Sequence, residues 1–239
     1  KQNNSLIYSV SSKFDESQFY FKFYGNWFLK KLKNIDFFYI QDFNSESILK
    51  KYSLKNINIS GDSRFTSVIK TLEENNQINY IEKFIDNQKC LIAGSVWEKD
   101  ISIIDKVVQK NNIKSIIAPH NISSNFIKKL ENLYGDKAVK YSCLKSEGDF
   151  DKKILIIDSI GSLKYIYKYG YVSYIGGGMS NNGLHNILEP ATFGVPVVIG
   201  PNYSHFAEAT ALVNMEGCIS IKNQTELNEA FDLLLHNED

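Results

Sequence analysis

The sequence has few cysteines, no excess of either charge and no long apolar run, and each absence excludes a class of protein. Its three cysteines, Cys90, Cys143 and Cys218, are far apart and form no Cys-x-x-Cys pair, so we expect small buried residues rather than disulfides or metal ligands. Lys plus Arg equals Asp plus Glu at 27 each, which removes the general attraction that holds nucleic acid. No stretch reaches the roughly 18 apolar residues that a membrane-spanning helix needs, and the first five residues do not resemble a signal peptide. A globular protein of a reducing compartment, without a nucleic-acid partner, remains.

Apolar segments of strand length alternate with segments of helix length along the chain, a pattern typical of parallel βαβ units. We therefore expect an α/β fold, a doubly wound, Rossmann-like parallel sheet flanked by helices, with one helix over Phe19–Leu32 and another from about Asn186 to Phe193. A polar segment at residues 73–77 predicts a boundary between domains 1–72 and 73–239. Because the first apolar run begins at Leu6 and no Met stands first, we interpret residues 1–72 as the tail of an incomplete domain.

Ligands of such sheets bind beyond the carboxyl ends of the strands, so the loops after residues 93, 118, 157, 175 and 199 form the candidate site. The loop after residue 118 contains His120, which is either functional or a solvated side chain. In the loop after residue 157, Ser162 precedes a predicted helix whose free N–H groups could bind a phosphate. Asp158 could equally cap that same helix.

The most informative loop begins with three glycines at residues 176–178. Residues without a Cβ at a strand exit would let a ligand approach the backbone closely. Pro190 is tolerated only in a first helical turn, so the next helix should not start much before Asn186. His185, Asn186 and Glu189 would then cluster at the positive end of a helix, where N–H groups favour phosphate and a carboxylate can accept ribose hydroxyls. The alternative is a flexible turn with an acidic first-turn residue.

Four blocks of sequence, in order and at consistent separations, resemble one known family: Gly61-Asp-Ser-Arg-Phe65, Ala93-Gly-Ser-Val-Trp97, Ile117-Ala-Pro-His120, and the segment from Gly176-Gly-Gly through Gly183-Leu-His-Asn-Ile-Leu-Glu-Pro190 to Gly194-Val-Pro-Val-Val-Ile-Gly-Pro201. They resemble the donor site of the 3-deoxy-D-manno-octulosonic acid (Kdo) transferases of lipopolysaccharide synthesis. The resemblance implies a two-domain GT-B fold, CMP-Kdo as donor co-substrate and a lipid A precursor as acceptor. It also implies an inverting reaction without cofactor or metal, at the cytoplasmic face of the bacterial inner membrane.

The resemblance assigns roles to individual residues. It implies that CMP is held by Pro119, His120, Ser162, Leu163, Lys164, Asn186, Ile187, Leu188 and Glu189, with Glu189 on the ribose. The glycine loop adds Gly177, Gly178 and His185 to this predicted substrate-binding set. Arg64 would stand where the family has a basic residue near the transferred group, and we expect no Asp-x-Asp or His/Cys metal site.

Two features depart from the family. Many relatives have Arg where this chain has His120, and a neutral imidazole cannot neutralise a phosphate as a guanidinium does. The family's general base is a Glu early in the N-terminal domain, upstream of anything present here, and an inverting transfer needs a base for the acceptor hydroxyl. We therefore expect this chain to bind CMP weakly and to transfer nothing by itself.

Other interpretations remain open at this stage. The glycine loop and Glu189 would serve uridine as well as cytidine, so a GT-B transferase or epimerase using a UDP-sugar is one alternative. A non-catalytic nucleotide-binding module is another. The aromatic and basic residues of Phe19–Lys33 fit either a peripheral contact of the N-terminal domain with the membrane or packing against another part of the protein.

Overall fold

The computed structural model describes residues 5–74, 76–180 and 183–236. The chain divides into two compact units, Lys1–Ser67 and Val68–Asp239. This division falls inside one helix, five residues before the boundary predicted from the sequence. Among the described residues, no helix is both long and apolar enough to cross a membrane.

The first unit contains a three-stranded parallel sheet in the order β1-β2-β3. Its elements are β1 (Tyr8–Ser12), α1 (Asn26–Leu32), β2 (Phe37–Ile40), α2 (Phe43–Lys51), β3 (Ile57–Ile59) and the start of α3 (Ser63–Glu73). Phe14, Phe38, Ile40 and Leu49 form the centre of its core. Their burial, at about 1.5–3 kcal/mol for each side chain, supplies the main stabilisation of this unit.

The helix predicted over Phe19–Leu32 is wrong in its first half. Two short 3-10 turns, Phe19–Phe21 and Phe23–Gly25, precede α1. A Cβ at Gly25 would lie 2.0 Å from the carbonyl oxygen of Phe19, so the chain folds back on itself here more tightly than an α-helix with a side chain at this position allows. Gly25 therefore ends one turn and lets the next begin.

The second unit is a seven-stranded sheet in the order β10-β9-β8-β4-β5-β7-β6, in which every pair is parallel. Its strands are β4 (Cys90–Val96), β5 (Lys114–Pro119), β6 (Ala138–Lys140), β7 (Ile154–Ile156), β8 (Val172–Ile175), β9 (Val197–Ile199) and β10 (Cys218–Ser220). Its helices after α3 are α4 (Ile81–Ile85), α5 (Glu98–Asn111), α6 (Ser124–Tyr134), α7 (Glu147–Phe150), α8 (Leu163–Ile166), α9 (Leu188–Thr192), α10 (Ala207–Asn214) and α11 (Gln224–His236). This architecture confirms the predicted Rossmann-like class.

Both faces of this sheet are buried, as a sheet of parallel strands requires. Within β4, Leu91 and Ala93 join one apolar cluster, whereas Cys90 and Ile92 join the cluster on the other face. The chain leaves β4 toward β5 on one side and reaches β8 on the other. Because connections run in opposite directions from β4, the loops after β4, β5 and β8 leave a crevice at the carboxyl edge of the sheet.

Candidate functional site

A cavity of about 430 Å³ opens between the loops that follow β5 and β7. Its wall includes Pro119 and His120 from the first loop, Gly161 and Leu163 from the second, and Trp97 from the loop after β4. We call it the β5–β7 cavity. It brings together three of the residues predicted for the donor site, Pro119, His120 and Leu163, although Leu163 is more than 40 positions from the other two in sequence.

Ser162 stands between two residues of this wall, and its hydroxyl is buried without a hydrogen-bond partner. A buried hydroxyl that forms no hydrogen bond costs free energy. The residues on either side of Ser162 in sequence, Gly161 and Leu163, line the cavity. The expected capping role of Asp158 is wrong, because its carboxylate instead accepts hydrogen bonds from the N–H and the hydroxyl of Ser142.

Three rings pack together at the centre of the carboxyl edge, where His120 stacks against both Trp97 and His185. The centroids of Trp97 and His120 are 4.3 Å apart, and those of His120 and His185 are also 4.3 Å apart. The indole Nε1 of Trp97 donates to Nε2 of His185 at 3.1 Å, so the proton of the neutral His185 ring is on Nδ1. Burial, with a smaller contribution from the nearby His120, lowers the pKa of His185 to about 4. At neutral pH, His185 is therefore an uncharged part of the wall and supplies no positive charge for a phosphate.

The three glycines after β8 are required by the packing of the backbone rather than by open space for a ligand. A Cβ at Gly176 would lie 2.3 Å from the carbonyl oxygen of Ser95, and a Cβ at Gly178 would lie 2.8 Å from the N atom of Gly200. Gly177 has φ +92°, and its Cβ would lie 2.1 Å from the carbonyl oxygen of Gly183. The physical reason given for these glycines from the sequence was therefore wrong. That Gly177 and Gly178 contact substrate stays a prediction.

Asp100, in the first turn of α5, connects this glycine loop to the Trp97 loop, and sequence reasoning missed it. Its carboxylate accepts from the N–H of Trp97 at 2.8 Å, the hydroxyl of Tyr174 at 2.8 Å and the N–H of Gly177 at 3.1 Å. Burial raises the pKa of Asp100, and these three hydrogen bonds oppose the shift. An acidic residue three positions after Trp97, which starts the helix, was the available signal.

The helix that carries Glu189 begins later and is shorter than predicted. It covers only Leu188–Thr192, so it brings few aligned peptide dipoles to the site. Asn186 organises its start, because its Oδ1 accepts from the N–H of Leu188 and its Nδ2 donates to Oε1 of Glu189, both at 3.2 Å. Burial raises the pKa of Glu189, while the Asn186 hydrogen bond and the charge of Lys164 oppose the shift.

The side chains of Ile187 and Leu188 pack in the core, with 1% and 6% of their surface exposed. Any contact of these two residues with a ligand would therefore come from their backbone. Lys164 differs, because its Nζ lies at the surface, 3.9 Å from Oε2 of Glu74. Its charge also acts on Glu189, so this cation interacts with two carboxylates and follows Leu163 of the cavity wall in sequence.

Arg64 lies in the first unit, where its guanidinium contacts Asp62 with Nε at 2.9 Å and Nη2 at 2.6 Å. Burial works to raise the pKa of Asp62, but the hydrogen bonds from Arg64 and its charge prevail, and this pKa is lowered. The predicted role of Arg64 near the transferred group stays a prediction.

The sequence contains one Asp-x-Asp triplet, Asp149-Phe150-Asp151, so the expectation that it has none was wrong. The carboxylate of Asp149 accepts from the backbone N–H groups of Lys145 and Ser146 at the start of α7. This triplet therefore serves as a helix cap. Within the described ranges, no group of three or more His, Cys, Asp or Glu side chains could hold a metal ion.

Comparison with known sequences gives several 3-deoxy-D-manno-octulosonic acid transferases and a bifunctional glycosyltransferase/methyltransferase. No protein-family model matches the chain. It is 29% identical over 193 residues to the 3-deoxy-D-manno-octulosonic acid transferase of Chlamydophila psittaci, covering 77% of this chain and 44% of that protein. It is 31% identical over 144 residues to the enzyme of the same name from Aquifex aeolicus, covering 57% and 39%. The chain thus spans less than half the length of these curated relatives.

Solved structures support the fold. The C-terminal CMP-Kdo binding domain of WaaA from Acinetobacter baumannii matches with a TM-score of 0.54 at 17% identity, covering 72% of this chain and 88% of that domain. A UDP-N-acetylglucosamine 2-epimerase matches with a TM-score of 0.65 at 11% identity, covering 100% of this chain and 59% of that structure. The motifs, the sequence relatives and the seven-stranded parallel sheet agree: the chain is a relative of the 3-deoxy-D-manno-octulosonic acid transferases, which are glycosyltransferases, and has a Rossmann-like domain of the GT-B type.

Proposed function

We propose that this chain is the donor-binding part of an inverting glycosyltransferase that moves Kdo from CMP-Kdo to a lipid A precursor in lipopolysaccharide biosynthesis. The arrangement around Glu189 is the observation that carries the proposal. The charge of Lys164, which follows Leu163 of the cavity wall, acts on Glu189. Asn186 donates a hydrogen bond to Glu189 and follows His185 in sequence. The ring of His185 stacks on His120 of the wall. A carboxylate and a cation therefore interact close to this cavity, and the unpartnered hydroxyl of Ser162 stands in sequence between two residues of its wall.

Each of these groups suits a different part of CMP. In its ionised form, the Glu189 carboxylate can accept hydrogen bonds from both ribose hydroxyls. Lys164 supplies a positive charge for the phosphate, which the neutral His185 cannot do. The hydroxyl of Ser162 can donate to or accept from a base edge or a phosphate oxygen. The site needs no bound cofactor in this proposal, because CMP-Kdo is a co-substrate.

Transfer also requires a proton acceptor for the attacking hydroxyl. We assign the general base to a residue outside this chain, in agreement with the short span of the relatives that the chain matches. The chain then binds donor without forming product. Product formation by the chain alone, with CMP-Kdo and a lipid A precursor, would contradict this part of the proposal.

The acceptor lies in a membrane, and we propose a peripheral contact of the first unit with the cytoplasmic face of the inner membrane. Phe23 and Trp27 are 89% and 62% exposed, and Lys30 and Lys31 follow on α1. Aromatic side chains favour the membrane interface, and each lysine near an anionic surface adds about 1 kcal/mol. Stronger binding to phosphatidylglycerol vesicles than to phosphatidylcholine vesicles is expected, and equal absence of binding to both would refute the contact.

The donor proposal is tested by measuring the melting temperature and binding isotherm of the chain with CMP and with UDP. Ligand binding to the folded state raises the melting temperature, and we expect a larger rise with CMP. Glu189→Ala should weaken CMP binding about tenfold or more, because charge-assisted hydrogen bonds contribute about 1.5–3 kcal/mol. Glu229→Ala, at an exposed position of α11, is the matched control and should leave CMP binding unchanged.

The outcome also separates the alternatives. An equal or larger effect of UDP would favour a transferase or epimerase that uses a UDP-sugar, the class to which one structural neighbour belongs. CMP binding that is unchanged in Glu189→Ala would refute the role given to Glu189. Binding of neither nucleotide would refute the proposed function as a whole.

A further inference from the structure

A second cavity, of about 590 Å³, lies at the same carboxyl edge on the other side of Trp97. We call it the β4–β9 cavity, because the loops after β4, β5, β8 and β9 surround it. Trp97 and Asn121 line both this cavity and the β5–β7 cavity. A ligand that fills one can therefore extend into the other past the indole of Trp97.

We propose that the β4–β9 cavity binds the acidic sugar of the donor, the group that is transferred, with Lys99 as the residue that recognises its carboxylate. This inference rests on the proposed function, because it places the nucleotide in the β5–β7 cavity. An octulosonic acid carries a carboxylate and several hydroxyls, so its site needs one cation and several neutral polar groups. The β4–β9 cavity has both.

The charges in this cavity favour an anion near Lys99. Two oppositely charged side chains from the start of α5 line it, Glu98 and Lys99. Glu98 is engaged, because its Oε1 lies 2.6 Å from the Nζ of Lys129. Lys99 forms no ion pair with any described residue and is exposed. A carboxylate entering the cavity therefore finds an available ammonium and a neighbouring carboxylate that is already paired.

The neutral polar groups come from three loops. Asn121 and Ser123 precede α6, Ser180 follows the glycine loop, and Asn202 follows β9. The Nδ2 of Asn202 donates to the carbonyl oxygens of Gly178 at 3.0 Å and Ser180 at 3.5 Å. These bonds fix the side chain and leave its Oδ1 as an acceptor for a sugar hydroxyl.

Trp97 forms a fixed partition between the two cavities. Its Nε1 is engaged by His185, and one face of its indole is covered by His120. An aromatic wall held in one orientation can pack against the carbon skeleton of a sugar while the polar groups opposite take its hydroxyls. The geometry thus separates a nucleotide side from a sugar side.

The test compares the binding of CMP and of CMP-Kdo to the chain by titration calorimetry. CMP-Kdo should bind about three- to tenfold more tightly than CMP, because an exposed ion pair and a few hydrogen bonds add modest affinity. Lys99→Ala should remove most of this difference, and Lys99→Glu should make CMP-Kdo the weaker ligand. Both variants should bind CMP as the unmodified chain does, and Lys106→Ala, two turns further along α5, is the matched control.

The possible results are distinguishable. If CMP does not bind, the proposed function fails first. If CMP binds but CMP-Kdo binds no more tightly, or if Lys99→Ala lowers the affinity for both ligands equally, the sugar site is refuted while the nucleotide site stands. If Lys106→Ala reproduces the effect of Lys99→Ala, the effect is general electrostatics and the assignment of Lys99 is wrong.

Discussion

The two halves of the carboxyl edge of the second sheet are built in opposite ways. On the side of β8 and β9, glycines allow backbone to pack directly on backbone, as at Gly178 and Gly200. On the side of β5 and β7, the loops stay apart and leave a cavity lined by side chains. A glycine-rich loop at the end of a parallel strand can therefore serve to fix the backbone of the scaffold, while side chains of neighbouring loops line the open space beside it.

The largest effect is expected from a substitution in the tightly packed half, on the side of β8 and β9. Gly176→Ala would place a Cβ 2.3 Å from the carbonyl oxygen of Ser95 and 2.7 Å from the Cα of Val96. Both are backbone atoms of β4 that cannot rotate away, so we expect a loss of about 3 kcal/mol or more in the free energy of unfolding. Urea denaturation of the variant and of the unmodified chain measures this loss in the free energy of unfolding.

The matched control for this substitution is Gly148→Ala in α7, where a Cβ would meet no atom within 4 Å. We expect its stability to change by less than about 1 kcal/mol. Similar losses for both variants would show that the tight packing at Gly176 does not matter.

A second, smaller effect is expected at Asp100, which joins the tightly packed half to the loop that carries Trp97. Asp100→Ala would leave three buried donors without an acceptor, and we expect a loss of about 2–5 kcal/mol. Asp100→Asn keeps one acceptor oxygen for the two N–H groups, and its amide can donate to the oxygen of Tyr174, so its loss should be much smaller. Equal losses in the two variants, by denaturant unfolding, would contradict this account.

The smallest expected effect is a change in the pH dependence of stability, and it arises where the two halves meet and His185 stacks on His120. The pKa of His185 is lowered from 6.5 to about 4 in the folded protein, so between these values the unfolded chain binds the extra proton. The folded protein is therefore not destabilised by His185 above pH 6.5. As pH falls from 6.5 toward 4, protonation of this histidine in the unfolded chain lowers the free energy of unfolding. With allowance for partial exposure, we expect about 1 kcal/mol.

The measurement is the free energy of unfolding at pH 7 and at pH 4.5, for the unmodified chain and for His185→Gln. The variant should lose less stability on acidification, because it lacks this titration, while all other groups titrate in both proteins. An identical pH dependence in the two would refute a lowered pKa at His185.

Strands with continuous apolar runs were predictable from the sequence. The strand ends predicted at residues 118, 157, 175 and 199 are confirmed within one residue by β5, β7, β8 and β9, because burial on both faces leaves a continuous apolar segment. The end predicted at residue 93 is three residues early, because β4 continues to Val96. The edge strands β6 and β10 were missed. Each has three residues and only one neighbouring strand, so neither carries the long apolar run of a central strand.

The site was predictable to the level of loops and not to the level of contacts. Pro119, His120 and Leu163, which the resemblance assigned to one binding set, lie on one cavity wall, and their contact with a nucleotide stays a prediction. The stack of Trp97 on His120 and His185, and the three hydrogen bonds of Asp100, join residues up to 88 positions apart in sequence. No local pattern encodes such distances.

By itself, the sequence determined the parallel α/β class, the strand ends at which a ligand could bind, and the resemblance to Kdo transferases. All three follow from local apolar periodicity and from short motifs. Only the tertiary structure decided that the glycines after β8 pack against other backbone, that His185 is held neutral and that Lys99 lines a second cavity. These properties depend on contacts between segments that are distant in sequence, which exclude water from one another's atoms. The order of strands in the sheet decides which segments become neighbours.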